Sequence, residues 1–89
     1  MINRNITIIN KLGLHARASA KFVSTASQFS SKINVTKDAH TVNGKSIMGI
    51  LTLGAGQYVK LFLEIDGPDE IQMEQALLAL INDRFGESE

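Results

Sequence analysis

Tyr58-Val59-Lys60-Leu61-Phe62-Leu63-Glu64-Ile65, followed at once by Asp66-Gly67-Pro68-Asp69-Glu70, holds the plainest change of rhythm in the chain. Val59, Leu61, Leu63 and Ile65 alternate with Tyr58, Lys60, Phe62 and Glu64, and a period of two belongs to a strand with one buried face. Pro68 then suits the first position of a helix, where a missing N–H costs nothing. Asp69 and Glu70 suit the positive end of the helix dipole. Ile71, Met73, Leu77, Leu80, Ile81 and Phe85 supply the apolar face of that helix, and Arg84 and Gly86 mark its end.

Working outward, Ile6 and Ile8 alternate with Asn5 and Thr7, which predicts a strand over residues 2–9. Residues 16–29 are Ala-rich and amphipathic: Ala16, Ala20, Val23 and Ser27 form one line, with Ser19, Phe22, Ala26 and Phe29 beside it. Ile33, Val35 and Lys37 alternate again before Thr41-Val42, so residues 32–43 read as a hairpin turning near Lys37-Asp38-Ala39. Asn43-Gly44 is a turn signal. Ile47, Ile50 and Leu51 then have helical spacing, and Gly54 closes this short helix. The order β-α-β-β-α-β-α over a single domain, residues 1–89, predicts an α+β fold. A four-stranded, largely antiparallel sheet carries three helices on one face.

The chain has 89 residues and no cysteine, which excludes disulfides, thiolate nucleophiles and Cys-type metal sites. It is 44% hydrophobic, too apolar for a disordered chain. No run approaches the roughly 18 apolar residues of a membrane span. The N-terminal residues lack the order of a signal peptide, so a cytoplasmic location is expected, with no membrane partner. The net charge of zero argues against nucleic acid as a partner. Tyr58 and Phe62 on one strand face are no RNA platform, because no RNP-like motif accompanies them. The zero hides a division: residues 1–60 hold eight Lys and Arg against Asp38 alone, and residues 61–89 hold eight acids against Arg84 alone.

The first helix breaks the usual charge rule. It opens Gly13-Leu14-His15-Ala16-Arg17, with no acid anywhere between residues 10 and 37. His15 stands where a cap belongs, and Arg17 adds positive charge to a positive pole. Such a place lacks an anion. The free N–H groups of Ala16 and Arg17, with the Arg17 guanidinium, fit a phosphate. A neutral imidazole at the centre is a nucleophile, and an ordinary pKa of about 6.5 leaves histidine mostly neutral at pH 7. The plain alternative is a weakly capping surface histidine. With only two histidines and no carboxylate cluster beside them, neither a metal nor a cofactor is expected, and His40 reads as a hairpin surface residue.

Asn10-Lys11-Leu12-Gly13-Leu14-His15-Ala16-Arg17-Ala18-Ser19-Ala20-Lys21-Phe22-Val23 resembles the active-site segment of the HPr family, the histidine-containing phosphocarriers of the bacterial phosphoenolpyruvate-dependent phosphotransferase system. Lys45-Ser46-Ile47-Met48-Gly49-Ile50 resembles that family's second signature, around a regulatory serine. The likeness runs along essentially the whole chain. It implies an open-faced β-sandwich and a relay protein rather than a turnover enzyme. By this likeness, His15 is expected to accept phosphate on Nδ1 from enzyme I and pass it to a downstream acceptor protein, with Arg17 stabilising the phosphorylated state. It also implies that Ser46 is a target for HPr kinase/phosphorylase. Lys21, Lys45, Ile47 and Met48 become candidate partner-contact residues, and a monomer is expected. Family members often carry Pro where this chain has Ala18, which keeps an extra N–H at the helix start. Asn10-Lys11-Leu12-Gly13 resembles the nitrogen-related branch, whereas the Ser46 segment resembles members with the regulatory serine. The alternative to sugar transport is therefore a nitrogen-related or catabolite-regulatory protein acting mainly by binding. Without any family, Ser46 is a helix cap and Ile47 and Met48 are core.

Overall fold

Strand β4 (Lys60–Asp66) is the hub of the sheet, flanked on one side by β1 (Ile2–Thr7) and on the other by β2 (Lys32–Lys37), with β3 (His40–Asn43) at the far edge. The computed structural model describes residues 1–89. Every neighbouring pair is antiparallel, in the order β1-β4-β2-β3. The register puts Ile6 opposite Leu61, Val35 opposite Leu63 and Ile33 opposite Ile65. The period of two therefore collects one apolar face from three strands.

Three helices cover that face: α1 (Ala16–Ala26), α2 (Ile47–Thr52) and α3 (Glu70–Asn82), followed by a short 3-10 turn at Arg84–Gly86. Phe22, Ile50, Met73 and Leu77 are fully buried against the sheet residues. The other sheet face stays uncovered and polar. Asn3, Glu64, Asn34 and Asn43 line up across it, and Asn5, Phe62, Thr36 and Thr41 form the next row. This is the α+β, open-faced sandwich that the sequence predicts, with three helices on one face.

Element ends differ from the sequence reading for identifiable reasons. Helix α1 stops at Ala26 rather than residue 29, because Gln28 and Phe29 bond the carbonyls three residues back and tighten the chain into a turn. Its buried stripe is Ala18, Ser19, Phe22, Val23 and Ala26, so Ala16, Ala20 and Ser27 face solvent. Alanine marks a helix but not its inner face; Phe22 and Val23 decide that. Strand β4 starts at Lys60, not residue 58, because Tyr58 takes a left-handed φ of 68° in the preceding turn. Pro68 lies before α3 rather than inside it, and Ile71 is exposed.

Asp69 sits at the cap of α3 but makes no cap bond with its side chain. Its carboxylate instead accepts from the Ser30 and Ser31 amides, both at 2.9 Å, and from the Ser31 hydroxyl. That fastens the entry to β2 onto α3. The Ser31 hydroxyl first, then the Ser30 amide, lower the Asp69 pKa to about 2. Glu70 reaches back to the Gly67 amide at 3.1 Å, and that bond holds its carboxyl below the usual range.

The segment joining β1 to α1 is pinned from below. Leu14 donates its N–H to Ala55 O at 2.8 Å, and Leu14 is buried. Gly13 has φ +68°, and a Cβ there would lie 2.4 Å from Ala55 O and 2.6 Å from Gly56 Cα. Gly13→Ala is therefore expected to cost about 2–4 kcal/mol, from the left-handed backbone and the overpacked contact together. Urea unfolding measures it, and an unchanged midpoint would refute this account of Gly13. A carboxyl lowered in the folded state contributes stability that is complete above its unfolded pKa of about 3.9 and lost as pH falls through about 2. Asp69→Asn should flatten the fall in stability across that acid window. An unaltered pH slope in acid unfolding would contradict the clamp.

Candidate functional site

His15 caps α1 in extended backbone geometry, with φ −72° and ψ −178°. Its Nδ1 accepts from the Arg17 amide at 3.3 Å, a long and easily displaced bond. The amides of Ala16 and Ala18 have no acceptor within the helix, as expected for its first turn. No acid occupies that turn. Ala16 and Arg17 are exposed, and the His15 side chain is 29% exposed. A partly accessible imidazole, the free amides of the first turn and the exposed Arg17 residue lie at one helix pole. Ala18 is buried inside a regular first turn.

The sequence reading misses the other half of the site. His15 Nε2 lies 2.5 Å from Glu87 Oε2, a residue 72 positions away. The other Glu87 oxygen accepts from Asn10 Nδ2 at 3.1 Å, and Asn10 Nδ2 also holds Gly13 O at 2.8 Å. Asn10 is completely buried, with its Oδ1 unpartnered. The hydrogen bond from His15, and then that from Asn10, hold the Glu87 carboxyl below its ordinary range, against the opposing effect of partial burial. A carboxylate only accepts and an amide N–H only donates. The two contacts of the ring therefore require hydrogen on Nε2 and a lone pair on Nδ1.

What brings Glu87 back is the turn after α3. The helix ends at Asn82, before Arg84 and Gly86, so neither residue terminates it directly. Arg84, Phe85 and Gly86 then all adopt left-handed backbone, with φ of 54°, 55° and 79°. Burying the Phe85 ring is worth about 1.5–3 kcal/mol. That offsets most of the cost of about 1–2 kcal/mol for each left-handed residue that is not glycine. Lys21 Nζ donates to Phe85 O at 2.6 Å, and the Lys11 amide donates to Glu89 O at 2.7 Å. The returning segment and the first helix thereby enclose an open cleft of about 440 Å³ lined by Lys11, Arg17, Lys21, Glu87 and Glu89 among others.

Lys45, Ser46, Ile47 and Met48 fall outside this cleft. Ser46 caps α2, its Oγ accepting from the Gly49 amide at 3.0 Å. Ile47 and Met48 are 43% and 71% exposed, so the core reading of that pair fails. The amines of Lys21 and Lys45 are both tied to backbone oxygens, the latter to Phe29 O at 2.7 Å. No His, Cys, Asp and Glu cluster could hold a metal ion. No helix is long and apolar enough to cross a membrane.

Comparison with known proteins gives the family. Residues 2–83 match the family model described as PTS HPr component phosphorylation site. The chain is 56% identical over 89 residues to the phosphocarrier protein HPr of Neisseria meningitidis and 53% identical to that of Cupriavidus necator, each match covering 100% of both chains. Its fold superposes on the crystal structure of HPr-C-His from Thermoanaerobacter tengcongensis with a TM-score of 0.96, 50% identity and full coverage of both chains. An HPr crystal structure from Bacillus anthracis gives 0.86 at 36% identity, over 90% of this chain and 95% of that one. With the family model matching nearly the whole chain and full-length relatives above half identity, this protein belongs to the HPr family of phosphocarrier proteins.

Proposed function

We propose that this chain relays phosphate in the phosphoenolpyruvate-dependent phosphotransferase system, accepting it from enzyme I on Nδ1 of His15 and handing it to a downstream acceptor protein. The observation that carries this reading is the position of Nδ1. It points its lone pair at the Arg17 amide, at the acid-free end of α1. A phosphoryl group arriving there displaces one long hydrogen bond and gains the amides of the first turn and the Arg17 guanidinium as donors. Because that end is exposed, a partner protein can present its own reacting group to it. The chain is consumed and regenerated as a substrate, and the turnover belongs to its partners.

A second role is proposed for α2. Ile47 and Met48 expose apolar surface beside the Ser46 cap, which favours docking of partners on this helix. Modification of Ser46 by a kinase/phosphorylase would add about −1.5 to −2 charges at the positive end of α2. The helix tolerates that charge, and an acidic partner does not. A nitrogen-related or regulatory relative that works mainly by binding would use this same surface.

Incubation with phosphoenolpyruvate and enzyme I should give a phosphoprotein that is labile in acid and stable in base. His15→Ala should abolish labelling, and Arg17→Ala should slow it by about 10- to 100-fold, the scale of one lost hydrogen bond to a charged group. Equal labelling of the His15→Ala protein would sink the assignment. Transfer from enzyme I should also slow as salt rises, since Arg17 and its neighbouring lysines steer an acidic partner. A rate indifferent to ionic strength would remove electrostatic docking from the picture.

A further inference from the structure

We propose that Glu87 is a positioning residue for phosphoryl transfer: its carboxylate keeps the hydrogen of His15 on Nε2, so that Nδ1 offers its lone pair to the start of α1. The inference rests on the reading of His15 as the phosphoryl acceptor and adds to it a residue from the opposite end of the chain. Three observations support it. The contact is short, 2.5 Å between Nε2 and Oε2, and both groups are partly shielded, with side chains 29% and 17% exposed. Glu87 is itself held, because Asn10 fixes its other oxygen at 3.1 Å. Asn10 is fully buried with one oxygen unpartnered, an unfavourable arrangement that the fold keeps while its amide group serves Gly13 and Glu87 together.

A simple tie between the chain end and the first loop does not need a histidine. Lys11 already supplies one, through its amide to Glu89 O at 2.7 Å and its amine to the Glu89 carboxylate at 3.4 Å. The Glu87 contact alone reaches the reacting ring.

The transfer step balances without moving a proton on His15. The Nδ1 lone pair forms the bond to phosphorus. The bond from phosphorus to the donor's leaving atom breaks, and its electron pair stays on the donor. Nε2 keeps its hydrogen throughout, so the phosphorylated ring carries a positive charge, and the Glu87 carboxylate faces it. On transfer to the acceptor, the N–P electron pair returns to Nδ1 and the ring is neutral again. Glu87 thus serves the ring as the buried carboxylate serves the histidine of a hydrolase triad, by fixing the tautomer and opposing the charge that develops.

The test uses the full chain with 15N-labelled histidine, together with enzyme I and phosphoenolpyruvate. At about pH 9, well above an ordinary imidazole pKa, the unmodified protein should show a far-downfield proton on Nε2 and an unprotonated Nδ1 at His15. Glu87→Gln keeps an acceptor oxygen and should keep the Nε2 proton signal. Glu87→Ala should lose its downfield position. Transfer from enzyme I should fall by about 10- to 100-fold in kcat for Glu87→Ala, as for outer partners of other working histidines, with KM for enzyme I unchanged and Glu87→Gln intermediate. An unprotonated Nε2 in the parent protein, an unaltered kcat in Glu87→Ala, or a change confined to KM would each overturn the assignment while leaving His15 as the acceptor. Full labelling of a His15→Ala control is the separate result that would remove the acceptor reading itself.

Discussion

Gly13 lies so close to the backbone of Ala55 and Gly56 that a single methyl group has no room between them. That contact sets the geometry of the turn that leads into the first helix. With Gly13 in left-handed backbone and the Leu14 amide on Ala55 O, the Leu14 side chain enters the core and the next residue falls outside it. That residue is His15. Its carbonyl accepts the Ser19 amide at 2.8 Å, so α1 begins there, and the buried Ser19 hydroxyl bonds Leu14 O at 3.0 Å from the other side. The histidine is thus half-buried on a mount fixed by backbone hydrogen bonds. Its freedom is confined to side-chain torsions, and Asn10 and Glu87 restrict those as well.

The charge division along the sequence takes a different form in space than an acidic half facing a basic half. Two of the eight acids after residue 60 return to the basic helix start, where Glu87 meets His15 and Glu89 meets Lys11. A further acid, Glu74, pairs with Arg4 at 3.7 Å. The site is therefore mixed in sign, with the signs sorted by atom. The Arg17 amide faces Nδ1 of the ring, and a carboxylate holds the Nε2 side. On the proposed reading, an arriving phosphoryl group takes the Nδ1 edge, and the carboxylate stays with the opposite edge of the ring.

What the sequence makes legible is whatever local rhythm controls. The alternation through Leu61, Leu63 and Ile65 carries the centre of the sheet, because each residue there packs on one side. The acid-free opening at Ala16 and Arg17 marks the anion-seeking end of α1 for an equally local reason, the free amides of its first turn. The inner face of α1 is less legible, since Ala16 and Ala20 look apolar and face solvent. Asp69 follows the charge rule for a helix start, and its actual work is to bind Ser30 and Ser31 across the fold. Glu87 is the extreme case. Nothing near it in sequence mentions a histidine, and its position follows from where Phe85 finds its hole in the core. Gly86 after a helix is a signal for left-handed backbone, but the direction taken afterwards is a property of packing.

A carrier differs from an enzyme in what its site must avoid. Holding the phosphorylated state far below the free state would trap the group, because tight binding of an intermediate raises the barrier to its release. The arrangement at α1 suits moderate stabilisation. The donors at Ala16 and Arg17 are solvent-exposed, where a helix pole contributes about 0.3–1 kcal/mol to an anion rather than the larger effects of a closed site. The firm contact is made to the ring and leaves the phosphoryl oxygens free, through a carboxylate held in place by a buried amide. If His15 is the nucleophile, as proposed, rigidity is thus placed on the ring that has to be aimed in both directions of transfer, and exposed contacts are left to the group that has to leave.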